Sequence, residues 1–103
     1  MQIQFTEQAR GEYLRIVSVF AEYAGTRSAN LFIERVRERG ATLLNYPEVG
    51  HPEPLLADRK RLYRSISINK NYRFVYHITK TIIWIADIWD RRLDPAKLVA
   101  RIK

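Results

Sequence analysis

The chain has 103 residues, the length of one domain, and its 47% hydrophobic and 28% charged residues are an ordinary globular composition. It has no cysteine, which excludes disulfide scaffolds, thiolate zinc sites and cysteine nucleophiles. The apolar runs are too short to cross a bilayer, and the N-terminus lacks the pattern of a signal peptide. We therefore expect a cytoplasmic protein whose single domain spans residues 1–103.

The positive charge is concentrated in one segment. The net charge is +7, and residues 59–86 carry seven Lys and Arg side chains without any Asp or Glu. The flanking segments, 1–58 and 87–103, carry net charges of −2 and +2. A segment of this kind attracts phosphate groups or an acidic polypeptide, and its many aromatic residues are also typical of nucleic-acid surfaces. The alternative is a basic surface that only faces solvent.

The first half of the chain predicts a short strand followed by two helices. Apolar residues alternate from Ile3 to Phe5, which indicates an edge strand. Thr6 provides a side-chain cap for a helix with one apolar stripe, and Gly25 ends that helix. A second amphipathic helix follows and ends at Tyr46-Pro47, because proline disfavours the helical conformation in the residue before it. The short connection predicts an antiparallel helical hairpin.

The second half predicts a loop, three strands and a short helix. Residues 47–60 hold three of the four prolines and form the loop. The strands are predicted at 62–68, 72–78 and 82–89. The last of them is nearly all apolar, so we expect it to be the central, most buried strand, with Trp84 inside it. Asp94-Pro95 begins a C-terminal helix that runs through Ile102.

This order of elements predicts an α+β fold. An N-terminal strand and an antiparallel helical hairpin pack on one face of an antiparallel β meander, and a short C-terminal helix completes the chain. The other face of the sheet is left for a different role.

Two charged side chains are candidate functional residues because of their positions in the sequence. Glu53 lies between two prolines, and such a stiff backbone suits a positioned general base or an ordinary surface loop. Arg73 projects from the middle of a predicted strand, where a guanidinium is costly unless it is paired or faces a groove. Asp87 or Asp90 of the neighbouring strand is the candidate ion-pair partner. No metal-binding or cofactor-binding motif is present.

Two adjacent arginines follow the last strand. Arg91 and Arg92 would meet Arg73 across the sheet and form a compact cationic site, which suits phosphate recognition. The alternative is a solvated turn in which Asp90 and Asp94 neutralise the two arginines.

Four sequence elements, in order along nearly the whole chain, resemble the RelE/ParE superfamily. Its members are the toxin halves of bacterial type II toxin–antitoxin pairs. The elements are Thr6-Glu7-Gln8-Ala9 before the helical hairpin, Asn45-Tyr46-Pro47-Glu48-Val49-Gly50, Tyr63-Arg64-Ser65-Ile66 leading into Tyr72-Arg73-Phe74-Val75-Tyr76, and Ile88-Trp89-Asp90-Arg91-Arg92-Leu93-Asp94-Pro95.

The superfamily divides by mechanism. ParE-like members poison DNA gyrase without catalytic residues, whereas RelE- and YoeB-like members cleave mRNA on the ribosome. The loop from His51 to Leu55 resembles the YoeB-type loop, in which Glu53 would be the general base and Arg73 would stabilise the phosphate. YoeB-type chains end in a catalytic His-Tyr pair, but Arg91 and Arg92 occupy those positions here. Arginine does not release a proton near neutral pH, so the general acid is missing.

The resemblance therefore favours a ParE-like toxin that inhibits growth through gyrase, contributes to plasmid stabilisation and is neutralised by a cognate acidic antitoxin. One alternative is a ribosome-dependent endoribonuclease in which Glu53, Arg73 and Arg91 are catalytic. Another is a non-toxic basic domain that binds RNA or an acidic protein. We expect no cofactor, metal or membrane partner. The predicted target-binding residues are Arg61, Arg64, Lys70, Arg73, Arg91 and Arg92.

Overall fold

In a computed structural model, which describes residues 1–102, one five-stranded sheet carries helices on both faces. The elements, in chain order, are β1 (Gln2–Phe5), α1 (Glu7–Tyr23), α2 (Thr26–Asn45), β2 (His51–Pro52), a 3₁₀ turn (Pro54–Leu56), β3 (Arg64–Ser67), β4 (Tyr72–Ile78), β5 (Ile82–Asp90) and α3 (Pro95–Arg101).

The strand order across the sheet is β1-β5-β4-β3-β2. The meander β3-β4-β5 is antiparallel as predicted, and the α+β fold class is confirmed. β1 lies at the predicted edge but pairs with β5 in parallel, which makes the sheet mixed. The expectation that the last strand is central is wrong, because β4 occupies the middle and β5 lies beside the edge strand.

The helical hairpin covers one face of the sheet and forms the larger core. Thr6 caps α1 as predicted, since its side-chain oxygen accepts a hydrogen bond from the Ala9 amide at 3.2 Å. Aromatic rings join the hairpin to the sheet. Phe32 lies 5.3 Å from Phe20 and 5.4 Å from Tyr72, measured between ring centroids. The alternation of β4 is also confirmed, because Tyr72, Phe74 and Tyr76 all face this core.

The prediction that the second face of the sheet is left for a different role is wrong, because this face is covered by the chain itself. α3 and the 3₁₀ turn pack on it and form a smaller core with Val75 of β4. Asp94 caps α3 as predicted, accepting a hydrogen bond from the Ala96 amide at 3.0 Å. The segment 47–60 is therefore not a plain loop, because β2 and the 3₁₀ turn bring it against the sheet.

A bulge in β5 shifts the alternation of the strand between its two tryptophans. Val75 pairs with Asp87 while Tyr76 pairs with Ile85, so β5 contains one extra residue at this point. The alternation shifts past the bulge, and Trp89 turns into the second core with 2% of its surface exposed. Trp84 stays partly exposed, so its predicted burial is wrong.

The turn between α2 and β2 is anchored to the middle of the sheet. The Tyr76 hydroxyl accepts a hydrogen bond from the Gly50 amide at 3.0 Å and donates one to the Pro47 carbonyl at 2.8 Å. A Cβ atom at Gly50 would lie 2.6 Å from the Ser65 carbonyl oxygen, so only glycine fits this approach. Within residues 1–102, none of the helices is long and apolar enough to cross a membrane.

Candidate functional site

Glu53 and Arg73 form a buried ion pair on the second face of the sheet. Arg73 donates from Nε and Nη2 to Glu53 Oε1, the first at 2.9 Å. The same oxygen accepts a hydrogen bond from the Ser65 hydroxyl at 2.7 Å, and Oε2 accepts one from the Leu55 amide at 3.2 Å. Glu53 is 3% exposed. Arg73 therefore has a partner, but neither Asp87 nor Asp90 is that partner.

The surroundings of Glu53 explain why it points inward. β2 pairs with β3, and the Glu53 amide donates to the Tyr63 carbonyl at 2.8 Å, which draws the loop onto the sheet. The side chain also caps the 3₁₀ turn that follows it. Four hydrogen bonds thus hold the carboxylate, and both of its oxygens are engaged. This geometry is that of an ion pair in which each carboxylate oxygen accepts at least one hydrogen bond from within the chain.

Arg92 lies on the opposite face of the sheet from Arg73. Its guanidinium forms two hydrogen bonds of 2.9 Å to the Asp90 carboxylate and lies over the Tyr72 ring, 5.6 Å from the centroid. These hydrogen bonds hold the pKa of Asp90 below its ordinary value. Arg91 is exposed in the turn after β5, where its amide donates to the Asn71 carbonyl. The structure thus does not place Arg73 and Arg92 in one cationic site.

Two further predicted binding residues have intramolecular roles. Arg64 donates to the Gly50 carbonyl at 2.8 Å and holds the turn before β2. Arg61 lies 2.8 Å from His77 Nε2. Because arginine only donates, this nitrogen accepts and the imidazole proton is on Nδ1. Burial, aided by the Arg61 charge, keeps the pKa of His77 below its ordinary value. The His77 ring also packs edge-on against Tyr63.

Not all of the six predicted target-binding residues are exposed. Lys70 and Arg91 are exposed, and their side chains form no hydrogen bond or ion pair within residues 1–102. Arg61 is also exposed, although one of its nitrogens contacts His77. These three and Arg92, whose side chain is 59% exposed although it is paired with Asp90, are the members of the predicted set that remain available to a partner.

A buried cluster that the sequence analysis missed holds α3 to the sheet. Asp87 is fully buried, and its Oδ1 accepts a hydrogen bond from Arg101 of α3 at 2.7 Å. Arg101 also lies 3.4 Å from Glu12 of α1 and 5.5 Å from the centroid of the Trp89 ring. The ion-pair partner of Asp87 is therefore Arg101 and not Arg73. Two features of the sequence indicate this cluster: Asp87 is an acid within an apolar strand, and Arg101 lies in the C-terminal helix.

We expect Asp87 to make the protein more stable as the pH falls. Burial raises the pKa of Asp87 to about 6, since desolvation outweighs the attraction of Arg101, and repulsion by Glu12 adds to the effect. The folded state therefore binds a proton more readily than the unfolded state, whose pKa is near 3.8. The contribution appears as the pH falls through 6 and reaches about 2–3 kcal/mol near pH 4.

The comparison of wild type with Asp87→Asn isolates this effect, because the variant keeps the shape of the side chain but cannot titrate. Thermal melts between pH 7.5 and 4.5 should show the stability of the wild type rising relative to the variant. A constant difference across that range would contradict the raised pKa.

Residues 1–102 contain no group of three or more His, Cys, Asp or Glu side chains that could hold a metal ion.

Comparison with a family model gives a match over most of the chain. Residues 3–95 match the model described as "ParE toxin of type II toxin-antitoxin system, parDE". No curated protein matches the chain by sequence.

Three solved structures are similar in fold. The chromosomal ParDE TA system from P. aeruginosa aligns with a TM-score of 0.70 at 15% identity, covering 87% of this chain and 95% of that chain. The YoeB/ParE toxin from Agrobacterium tumefaciens has a TM-score of 0.62 at 21% identity, with 88% and 99% covered. The YoeB dimer from Staphylococcus aureus has a TM-score of 0.60 at 23% identity, with 85% and 93% covered. At these identities the likeness establishes the fold alone.

Proposed function

We propose a target for this chain from one premise: the chain belongs to the ParE toxin family of type II toxin–antitoxin systems. A cognate antitoxin is implied by that membership. The proposed target is DNA gyrase in the cytoplasm, and the toxin acts by binding the enzyme and stopping growth. In this proposal the toxin performs no chemistry itself, and the antitoxin releases gyrase by occupying the toxin.

The observation that supports this proposal is the burial and hydrogen bonding of the Glu53 carboxylate. A nuclease of the YoeB type would need this carboxylate to take a proton from the attacking hydroxyl of the RNA. Here the carboxylate is 3% exposed, and both oxygens accept hydrogen bonds from within the chain. To act as a base it would have to leave Arg73 and Ser65, which would leave a partly buried arginine without its partner.

The other catalytic positions of the nuclease alternative support the same choice. Arg91 and Arg92 stand where a proton donor is required, and arginine cannot supply one near neutral pH. The nuclease also requires a phosphate site between Arg73 and the end of β5. Arg73 and Arg92 lie on opposite faces of the sheet, each bound to a carboxylate.

We place the contact with the target on the exposed cations Arg61, Lys70 and Arg91. They belong to the basic segment and the turn after β5, and their charge suits a complex of enzyme and DNA. Arg64 and Arg73 are partly buried and have intramolecular partners, so we assign them structural roles, whereas Arg92 stays exposed although it is paired with Asp90.

The proposal is tested by expressing the toxin under an inducible promoter and assaying purified gyrase with the purified protein. We expect growth to stop and gyrase to accumulate linear, cleaved DNA. The same cells are mapped by primer extension on translated mRNA. Codon-positioned breaks that disappear in Glu53→Gln, without cleaved DNA, would overturn the proposal in favour of the ribosome-dependent nuclease.

A matched pair of variants tests the binding surface. Arg91→Gln is expected to weaken gyrase poisoning about tenfold, the loss typical of one charged contact. Arg10→Gln removes an exposed arginine of α1 and should leave poisoning unchanged. Normal growth, intact mRNA and unaffected gyrase in the wild type would contradict both toxic mechanisms and favour a non-toxic binding domain.

A further inference from the structure

A basic groove of about 450 Å³ runs between α2 and the turn that joins β3 to β4. Its cationic side chains are Arg35 and Arg39 of α2 and Lys70 of the turn. None of the described residues that line it is Asp or Glu. The groove thus concentrates three positive charges without a neutralising acid.

The cations are held in place by the fold. Arg35 and Arg39 are one helical turn apart, so both side chains lie on the same side of α2. Arg39 donates from Nε to the Ser67 carbonyl at 2.6 Å, which fixes its guanidinium against the end of β3. The turn that carries Lys70 is also ordered, because Asn69 Oδ1 accepts hydrogen bonds from the amides of Asn71 and Tyr72 at 2.9 Å.

The floor of the groove is apolar. Phe20 of α1 and Phe32 of α2 line it, and Leu31 beside them is 59% exposed. Cationic walls over apolar and aromatic side chains are the combination that nucleic-acid grooves use, because the walls meet phosphates while the floor meets sugars and bases.

We infer that this groove binds the phosphate backbone of a nucleic-acid strand. Guanidinium groups are suited to the planar geometry of phosphate oxygens, and two of them flank the groove. An acidic peptide is the competing ligand. An extended peptide could add its main chain only to Ile66 and Ser67, the part of β3 that β2 leaves unpaired, and there Arg39 already occupies the Ser67 carbonyl.

The inference goes beyond the proposed function, since it concerns binding that needs neither gyrase nor the ribosome. Two of its residues, Arg35 and Arg39, lie outside the basic segment that the sequence singled out, in a helix of mixed charge. Only the fold brings them to Lys70.

The experiment measures fluorescence anisotropy of a labelled 20-mer with the purified protein alone. The same sequence is used as single-stranded DNA, duplex DNA and single-stranded RNA, which identifies the form of nucleic acid that fits. We expect Arg35→Gln/Lys70→Gln to weaken binding at least tenfold. We also expect the slope of log affinity against log salt to become shallower by about 1.5, because two phosphate contacts are lost.

A second groove provides the matched control. Arg10 and Arg37 line an apolar groove between β1 and the hairpin, and Arg37 lies on α2 close to Arg35. Arg10→Gln/Arg37→Gln removes the same net charge and should change the affinity less than twofold. Thermal melts of both double variants should match the wild type, since all four side chains are exposed.

Three results would overturn the inference. An equal loss of affinity in both double variants would show that net charge alone attracts the probes. Absence of binding to all three probes at low salt would show that the groove does not hold a nucleic-acid strand. Arg35-dependent binding of a labelled peptide of alternating Glu and Ala, with no such dependence for the nucleic acids, would assign the groove to an acidic polypeptide. All of these outcomes are read without gyrase, so they are separate from failure of the proposed target.

Discussion

Replacement of Arg73 by methionine is expected to lower the free energy of unfolding by about 3–5 kcal/mol, among the largest effects of any single change. The substitution leaves the buried Glu53 carboxylate with only the Ser65 hydroxyl and the Leu55 amide as donors. A buried charge that loses its partner is far more costly than the intact pair, because water cannot replace the lost guanidinium. Urea denaturation measures the difference.

The matched variants are Glu53→Gln and the double variant Glu53→Gln/Arg73→Met. Glutamine keeps the size of the side chain and can still accept from Ser65, but it carries no charge. We therefore expect the double variant to be more stable than Arg73→Met alone. If the double variant is as unstable as the sum of the single variants, the two side chains are not coupled and the ion pair does not determine this part of the stability.

This result also bears on function. A carboxylate whose main contribution is to stability has been fixed by the fold rather than kept free for proton transfer. If Arg73→Met unfolds the protein too far to measure, Arg73→Lys provides a weaker form of the same test, because lysine restores the charge without the two-pronged geometry.

Replacement of Trp89 by alanine is expected to destabilise the protein by about 3–5 kcal/mol, the cost of removing a large buried aromatic side chain. Trp89 is 2% exposed and lies in the second core with Leu98 and Ile102 from the C-terminal part of the chain. Its ring also faces the Arg101 guanidinium, which connects α3 to Asp87. Loss of the ring should therefore loosen α3 as well as leave a cavity.

Trp84→Ala is the internal control, because it deletes the same side chain from the same strand. Trp84 is partly exposed, so we expect a loss of about 1 kcal/mol. Urea denaturation gives both values, and hydrogen exchange of the α3 amides should rise in Trp89→Ala only. Equal losses in the two variants would contradict the placement of Trp89 in a second core.

The local structure of this protein was predictable because it follows from short-range rules. Thr6 and Asp94 cap helices by hydrogen bonds to amides two or three residues away, so their roles are visible in the sequence. The alternation from Tyr72 to Ile78 likewise identified the inner face of β4, since side chains point to opposite sides of a strand at every step. The family resemblance has the same origin, because its motifs are short segments.

The tertiary structure decided everything that depends on two distant segments. Glu53 and Arg73 were both noticed, but only the pairing of β2 with β3 and of β3 with β4 places one against the other. The burial predicted for Trp84 was wrong, and the bulge that shifts the alternation of β5 between Trp84 and Trp89 is likewise a feature of strand pairing.

The charged surface also combines features that the sequence determines with features that only the tertiary structure determines. The sequence by itself determined that the excess positive charge lies in residues 59–86, that no cysteine chemistry is possible, and that the chain forms a helical hairpin and a meander. Only the packed structure decided which arginines have partners within the chain, because a guanidinium can donate only to a carboxylate or carbonyl that the fold brings within hydrogen-bonding distance. The distances between guanidinium groups and their acceptors depend on strand register and helix packing, which cannot be read from the periodicity of the residues.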